Sequence, residues 1–205
     1  AYRRLGRHQD LLGVYERQLA ILPEGGERVA LLVAMAELCE RELGKIPESI
    51  GWYQKVVASE PGHPLARAAL GRLLRKNGSF KELAAMLDGE VKGASSPAQK
   101  ARAAMELGEV YELHLDKLDG AVTAYRTALE AVADHRGAID ALVRVYAQQG
   151  AWKDLSDVLS LEASQSQDAR ATLDAMVRAA AVRVDRLKKA SESAELLTEV
   201  VSADP

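Results

Sequence analysis

Few residues of this 205-residue chain have the type and spacing that catalysis or metal binding requires. It contains four histidines and one cysteine, and no histidine lies three or four residues from another histidine or from Cys39. Such spacing is what a metal site on a helix needs. Paired carboxylates such as Glu37 and Glu40 are typical of a solvated helix face, and no glycine-rich phosphate loop is present. The sequence therefore predicts a chain that is not an enzyme and that holds no metal or cofactor.

The isolated candidates have structural interpretations. Cys39 lies in an apolar stretch and is predicted to be a small buried residue; as a single cysteine it cannot form an internal disulfide. His8 occupies a turn position used elsewhere by Phe80 and is predicted to pack. His63 and His135 fall in loops and are predicted to be exposed to solvent, and a functional role for His114 is not favoured.

The amino-acid composition indicates which secondary structure must position any functional site. The chain has 35 alanines and 28 leucines against one phenylalanine, which favours helices over strands. Hydrophobic residues make up 48% and charged residues 28%, too apolar for disorder and too interrupted for a membrane span. A net charge of −3 provides no basic field for nucleic acid. Abundant alanine and arginine with a single asparagine suggest a bacterial gene.

Sliding the sequence against itself by 72 positions gives a long ungapped match. The matched pairs include Tyr53 with Tyr125, Gly78 with Gly150, Phe80 with Trp152, Leu83 with Leu155, Leu87 with Leu159 and Glu90 with Glu162. Each block holds four helical segments, so the unit is a helix pair of roughly 34 to 38 residues.

Apolar spacing and turn residues place the helices of one block. The sequence predicts helices over 27–43, 49–59, 65–76 and from 79 to about 92. Gly44 to Pro47 and Pro61 to Pro64 are predicted to interrupt the chain. Asn77-Gly78 followed by Ser79 predicts a helix stop and an N-cap within three residues.

The helix pair resembles the tetratricopeptide repeat. Leu107-Gly108-x-x-Tyr111 followed by Ala121-x-x-x-Tyr125-x-x-Ala128 has that family's small and aromatic pattern. Partial matches are Leu70-Gly71-x-x-Leu74 with Gly78, Leu142-Val143-x-x-Tyr146 with Gly150, and Ile50-x-x-Tyr53 ending at Pro61. Cys39 and Arg183 depart from the pattern at the position of Tyr111. Another α-solenoid of helix pairs is the main alternative.

The resemblance implies an all-α fold, a right-handed superhelical α-solenoid of about five and a half antiparallel helix pairs. We expect one repeat domain over 1–205, with units at about 1–26 (partial), 27–64, 65–98, 99–136, 137–170 and 171–205. Neither end has a polar capping helix, so a longer natural protein is expected, or self-association through the terminal repeats.

In this family the first helices of successive units line a concave groove, which implies a protein-binding site. The candidate groove residues are Arg4, Glu37, Glu40, Arg41, Arg72, Arg75, Lys76, Glu109, Glu112 and Arg144. The groove thus alternates between basic and acidic positions. These charges could also pair between neighbouring helices, Glu37 and Glu40 with Arg72 and Arg75, and Glu109 and Glu112 with Lys76 or Arg144.

The leading hypothesis is a non-catalytic scaffold that binds a protein or peptide of mixed charge through this groove. The alternative is a structural spacer or assembly segment of a larger multidomain protein whose activity lies elsewhere. Nucleic-acid binding ranks last because the groove positions alternate in sign, and membrane insertion is not expected. A cytoplasmic location is expected, and any targeting segment is expected to lie outside this sequence.

Overall fold

The computed structural model describes residues 6–188, 194 and 198. Its described part folds into helices with no strand. The helices are α1 (His8–Ile21), α2 (Gly26–Arg41), α3 (Ile46–Ser59), α4 (Pro64–Asn77), α5 (Phe80–Lys92), α6 (Pro97–Leu113), α7 (Leu118–Ala131), α8 (Arg136–Gln149), α9 (Trp152–Gln165) and α10 (Ala169–Asp185). Connections of two to four residues join them. The predicted all-α helical-repeat solenoid is thus confirmed.

Glycine and proline set several helix boundaries. Gly78 and Gly150, 72 residues apart, both end a helix in the left-handed conformation, with φ of 72° and 68°. Glycine adopts this conformation without the steric cost of a Cβ. The predicted start of the second helix at residue 49 was wrong, because α3 begins at Ile46. Pro47 fits in its first turn, where a backbone N–H has no intrahelical acceptor.

The chain forms two compact units, Ala1–Leu83 and Ala84–Pro205, and the boundary falls within α5. In the first unit α1 packs on α2, α2 on α3 and α3 on α4. In the second unit α6 packs on α7, α7 on α8, α8 on α9 and α9 on α10. Within each unit these helices contact their neighbours in sequence, as expected of stacked helix pairs. The repeat boundaries given above, and their grouping as one domain, remain predictions.

The core of the first unit is built from apolar side chains of its helices. Met35 of α2, Val56 of α3 and Leu73 of α4 are fully buried, and Tyr53 is nearly so. Cys39 is also completely buried and forms no disulfide, which confirms its prediction as a small core residue.

The core of the second unit is centred on Tyr125 of α7, which is fully buried. Leu142 and Val145 of α8 and Leu159 of α9 belong to the same cluster. Gly108 of α6 lies against the Tyr125 ring so closely that a Cβ on it would be 2.3 Å from Cε1. The glycine of the family-like pattern therefore lets α6 approach the aromatic ring of α7.

Candidate functional site

The predicted groove residues lie on the first helix of each predicted pair. Arg4 lies outside the described residues. Glu37, Glu40 and Arg41 are on α2; Arg72, Arg75 and Lys76 are on α4; Glu109 and Glu112 are on α6; Arg144 is on α8. The structure pairs some of these charges with each other, and their role in binding a ligand stays a prediction.

In the first unit, Glu40 of α2 and Arg72 of α4 form an ion pair between helices. Arg72 Nη1 lies 2.7 Å from Glu40 Oε1, and Nη2 donates to Oε2 at 3.0 Å. This hydrogen-bonded guanidinium lowers the pKa of the Glu40 carboxyl, against the opposing effect of burial. Glu37 was also predicted to pair with an arginine of α4. It lies instead 3.6 Å from Arg41 on its own helix.

The second unit contains the same pair in a tighter form. Arg144 of α8 donates from Nε to Glu112 Oε1 at 2.7 Å and from Nη2 to Oε2 at 2.8 Å. The buried Tyr125 hydroxyl donates to Glu112 Oε2 at 2.7 Å. The Arg144 hydrogen bonds are the largest cause of the lowered pKa of Glu112, and the Tyr125 hydrogen bond lowers it further. Burial and the hydrogen bond to Glu112 raise the pKa of Tyr125.

These two pairs repeat at the 72-residue period, because Glu112 follows Glu40 and Arg144 follows Arg72 by that interval. Interhelical pairing, the structural interpretation of the groove charges, is therefore confirmed for these four residues. In both pairs the carboxylate is the buried partner. The side chains of Glu40 and Glu112 are 15% and 7% exposed, whereas those of Arg72 and Arg144 are 54% and 57% exposed.

A second recurring carboxylate was not predicted to form ion pairs. Glu162 of α9 is 5% exposed and accepts from Arg136 Nη2 at 2.6 Å, with Arg178 Nη1 3.6 Å away. Glu90, which precedes it by 72 residues, lies 3.9 Å from Arg102 of α6. The match of Glu90 with Glu162 in the self-comparison was the sequence signal that could have identified this position.

The prediction that His63 and His135 are exposed to solvent was wrong. Both are half-buried N-cap residues, of α4 and α8. His63 Nδ1 accepts from the Ala66 N–H at 3.2 Å, and His135 Nδ1 accepts from the Ala138 N–H at 3.2 Å. Each imidazole therefore takes the role that serine or aspartate usually has at a helix N-terminus.

The other two histidines differ from this pair. His8 opens α1 with its side chain 3.4 Å from the carboxylate of Glu42, Nδ1 to Oε2, and is largely shielded from solvent. His114 is exposed in the turn after α6. Within residues 6–188 and the two single positions beyond, no group of three or more His, Cys, Asp or Glu side chains is arranged to hold a metal ion. None of the helices described is long and apolar enough to cross a bilayer.

Comparisons with known proteins support the tetratricopeptide resemblance. A family model described as tetratricopeptide repeat matches residues 1–29. No curated protein sequence gives a significant match.

Several solved structures resemble this chain at low sequence identity. A crystal structure of MamA protein has a TM-score of 0.51 at 17% identity, with 88% of this chain and 93% of that chain covered. YrrB, described as a TPR protein with an unusual peptide-binding site, has a TM-score of 0.48 at 15% identity over 85% and 86% of the two chains. PilF of Pseudomonas aeruginosa has 0.47 at 19% identity over 97% and 86%.

The chain therefore has a fold of stacked helix pairs that agrees with the tetratricopeptide resemblance. Its helices, its glycine turns and the close contact of Gly108 with Tyr125 give the physical basis for that assignment.

Proposed function

We propose that this protein is a non-catalytic scaffold that binds a protein or peptide partner through the first-helix face of its repeats. The observation that supports this most directly is the repeated pair of a buried glutamate and a half-exposed arginine, Glu40 with Arg72 and Glu112 with Arg144. Proteins with the tetratricopeptide-repeat fold generally serve as scaffolds for protein interactions, which agrees with a binding role.

The glutamates orient the arginines. A guanidinium has five N–H donors, and Arg144 uses two of them on Glu112. Its remaining donors are available to a partner, because the side chain is 57% exposed. An arginine held in one rotamer loses less side-chain entropy on binding than a free one. Arg144 and Arg72 are therefore suited to bind carboxylates or backbone carbonyls of a partner.

The surrounding charges indicate a partner of mixed charge. Glu37 and Arg41 lie beside Glu40 on α2, and Glu109 precedes Glu112 by one turn on α6. An extended or helical segment with both acidic and basic residues would match such a surface better than a purely acidic tail.

A random peptide library displayed on phage and panned on the full chain tests this function. We expect enriched peptides to contain Asp or Glu next to basic residues. Arg144→Glu and Arg72→Glu are each expected to lower retention of those peptides at least tenfold.

Arg136→Glu is the matched control. Arg136 is 56% exposed and pairs with the 5% exposed Glu162, so it has the same environment as Arg144 but is not among the predicted groove residues. It is expected to keep the peptides bound at the wild-type level. Peptides without acidic residues, or equal losses in the Arg136 and Arg144 variants, would contradict the proposed function.

A further inference from the structure

An open cleft lies in the second unit between α5, α6 and α7. It encloses about 230 Å³. An apolar cavity of about 150 Å³ is enough to hold benzene, so this cleft has room for an aromatic side chain. Its walls are formed by residues of three helices: Asp88, Val91, Ala104, Leu107, Tyr111, Gly120, Thr123, Ala124 and Thr127.

The lining of the cleft is mostly apolar, with two threonines, a tyrosine and one carboxylate. The hydroxyl of Thr123 donates to the Asp119 carbonyl at 2.9 Å, and that of Thr127 donates to the Thr123 carbonyl at 2.9 Å. Both hydroxyls are thus satisfied by the backbone of their own helix. Asp88 is the charged group of the lining, and its carboxylate is paired with the exposed ammonium of Lys92 at 2.5 Å. Such an exposed pair is weakly held, so Lys92 can give way to a cation of a partner.

The corresponding position in the first unit contains an indole. Ala124 is matched 72 residues earlier by Trp52, and Tyr111 is matched by Cys39. The Trp52 side chain lies near the thiol of the buried Cys39, the residue that corresponds to Tyr111. In the second unit Tyr111 is larger than Cys39, yet the cleft beside Ala124 stays open.

A cation accompanies that indole. Lys55 Nζ lies 4.0 Å from the centroid of the Trp52 ring, three residues further along α3. Its counterpart in the second unit is Thr127, which has no charge. The second unit therefore lacks both the aromatic ring and the cation that stacks on it, and it has the Asp88 carboxylate at the same cleft.

We propose that this cleft binds an aromatic side chain of a partner protein, presented on a helix with Lys or Arg three residues later. The ring replaces the missing indole against Ala124 and Tyr111. The cation covers the ring and faces Asp88, as Lys55 covers Trp52 in the first unit. This surface is formed by other residues than the Glu112 and Arg144 pair, so the inference does not depend on the proposed function.

The probe is a synthetic peptide, acetyl-Ala-Ala-Trp-Ala-Ala-Lys-Ala-amide, titrated into the ¹⁵N-labelled full chain. We expect amide shift changes centred on Val91, Gly120 and Thr127. Replacing the peptide Trp with Ala should abolish the changes, and replacing its Lys with Glu should weaken binding severalfold. Ala124→Trp, which fills the cleft, should lower the affinity at least tenfold.

Two further variants keep the test decisive. The double variant Tyr111→Cys with Ala124→Trp reproduces the Cys39 and Trp52 pair of the first unit and should fold while binding no peptide. Ala147→Trp adds the same ring to an exposed position of α8 and should bind as wild type. Absent shifts in the wild type, equal shifts in the Ala124→Trp variant, or binding by the Trp-less peptide would overturn the proposal. A dimer that becomes monomeric in Ala124→Trp would assign the cleft to a second copy instead.

Discussion

Arg144 donates two hydrogen bonds to the carboxylate of Glu112, which lies 32 residues earlier in the chain. The same carboxylate accepts a hydrogen bond from the Tyr125 hydroxyl. The carboxylate thus joins three helices, α6 through its own position, α7 through the tyrosine and α8 through the arginine. Arg72 and Glu40 repeat the interhelical pair in the first unit. These charged pairs therefore hold neighbouring helices together.

The stability of the fold should depend on pH through these glutamates. The folded-state pKa values of Glu40 and Glu112 are lowered, mainly by their hydrogen-bonded arginines. Their contribution is therefore fully present above the unfolded-state value of about 4.3 and is lost as the pH falls through the folded-state value. Urea unfolding between pH 7 and pH 3 should show stability declining below about pH 4.3.

Glu112→Gln isolates this effect in the second unit. Glutamine can still accept from Tyr125, but it does not titrate, so the decline of stability at acid pH should be shallower than in the wild type. Glu37→Gln is the control, since Glu37 has only a 3.6 Å contact with Arg41 on its own helix. An acid profile that Glu112→Gln leaves unchanged would show that the pair does not contribute to folding.

The 72-residue repeat was sufficient to predict the fold, because the residues that define helix ends and helix contacts recur at fixed spacing in the sequence. Gly78 and Gly150 indicated where helices end, and the spacing of small and aromatic residues placed Gly108 against Tyr125. It also included Glu40 with Arg72 and Glu112 with Arg144 among the possible pairs, since neighbouring first helices lie within reach of long side chains.

Other features depend on side-chain geometry that spacing does not determine. The capping role of His63 and His135 requires one ring nitrogen to face a backbone N–H, so histidine in a loop was interpreted as exposed. The cleft lies beside Ala124, where the matched residue of the first unit is the larger Trp52; matching by period does not register that difference in size.

The histidine caps can be tested by substitution. His63→Ala and His135→Ala leave the Ala66 and Ala138 N–H groups without their side-chain acceptor, and each should lower the free energy of unfolding by about 1 kcal/mol. His63→Asn and His135→Asn should restore most of it, since asparagine is a strong N-cap. His114→Ala is the control for loss of an exposed imidazole, because His114 lies at the C-terminal end of α6. Equal stability of the alanine and asparagine variants would contradict the capping role.

Gly108 tests the packing rule of the repeat. In most helix interiors Gly→Ala stabilises by about 0.5 to 1 kcal/mol, because alanine loses less backbone entropy on folding. At Gly108 the new Cβ would lie 2.3 Å from Tyr125 Cε1, within a ring that is fully buried and hydrogen-bonded to Glu112. Overpacking of this kind costs about 1 to 3 kcal/mol. Gly108→Ala is therefore expected to destabilise the chain despite the favourable helix propensity.

In the first unit the position of Gly108 is occupied by Ala36. Ala36 is fully buried in the unit that contains Tyr53. A helix pair with alanine at this position therefore requires a different spacing from its tyrosine. Gly13→Ala is the matched control, since Gly13 is also within a helix and its Cβ would meet nothing within 4 Å. Urea denaturation should show the control gaining stability and Gly108→Ala losing it. Tyr125→Leu should remove most of that loss when combined with Gly108→Ala, because the ring is the clashing group. A Gly108→Ala variant as stable as the Gly13→Ala variant would mean that α6 moves away from α7 at no cost.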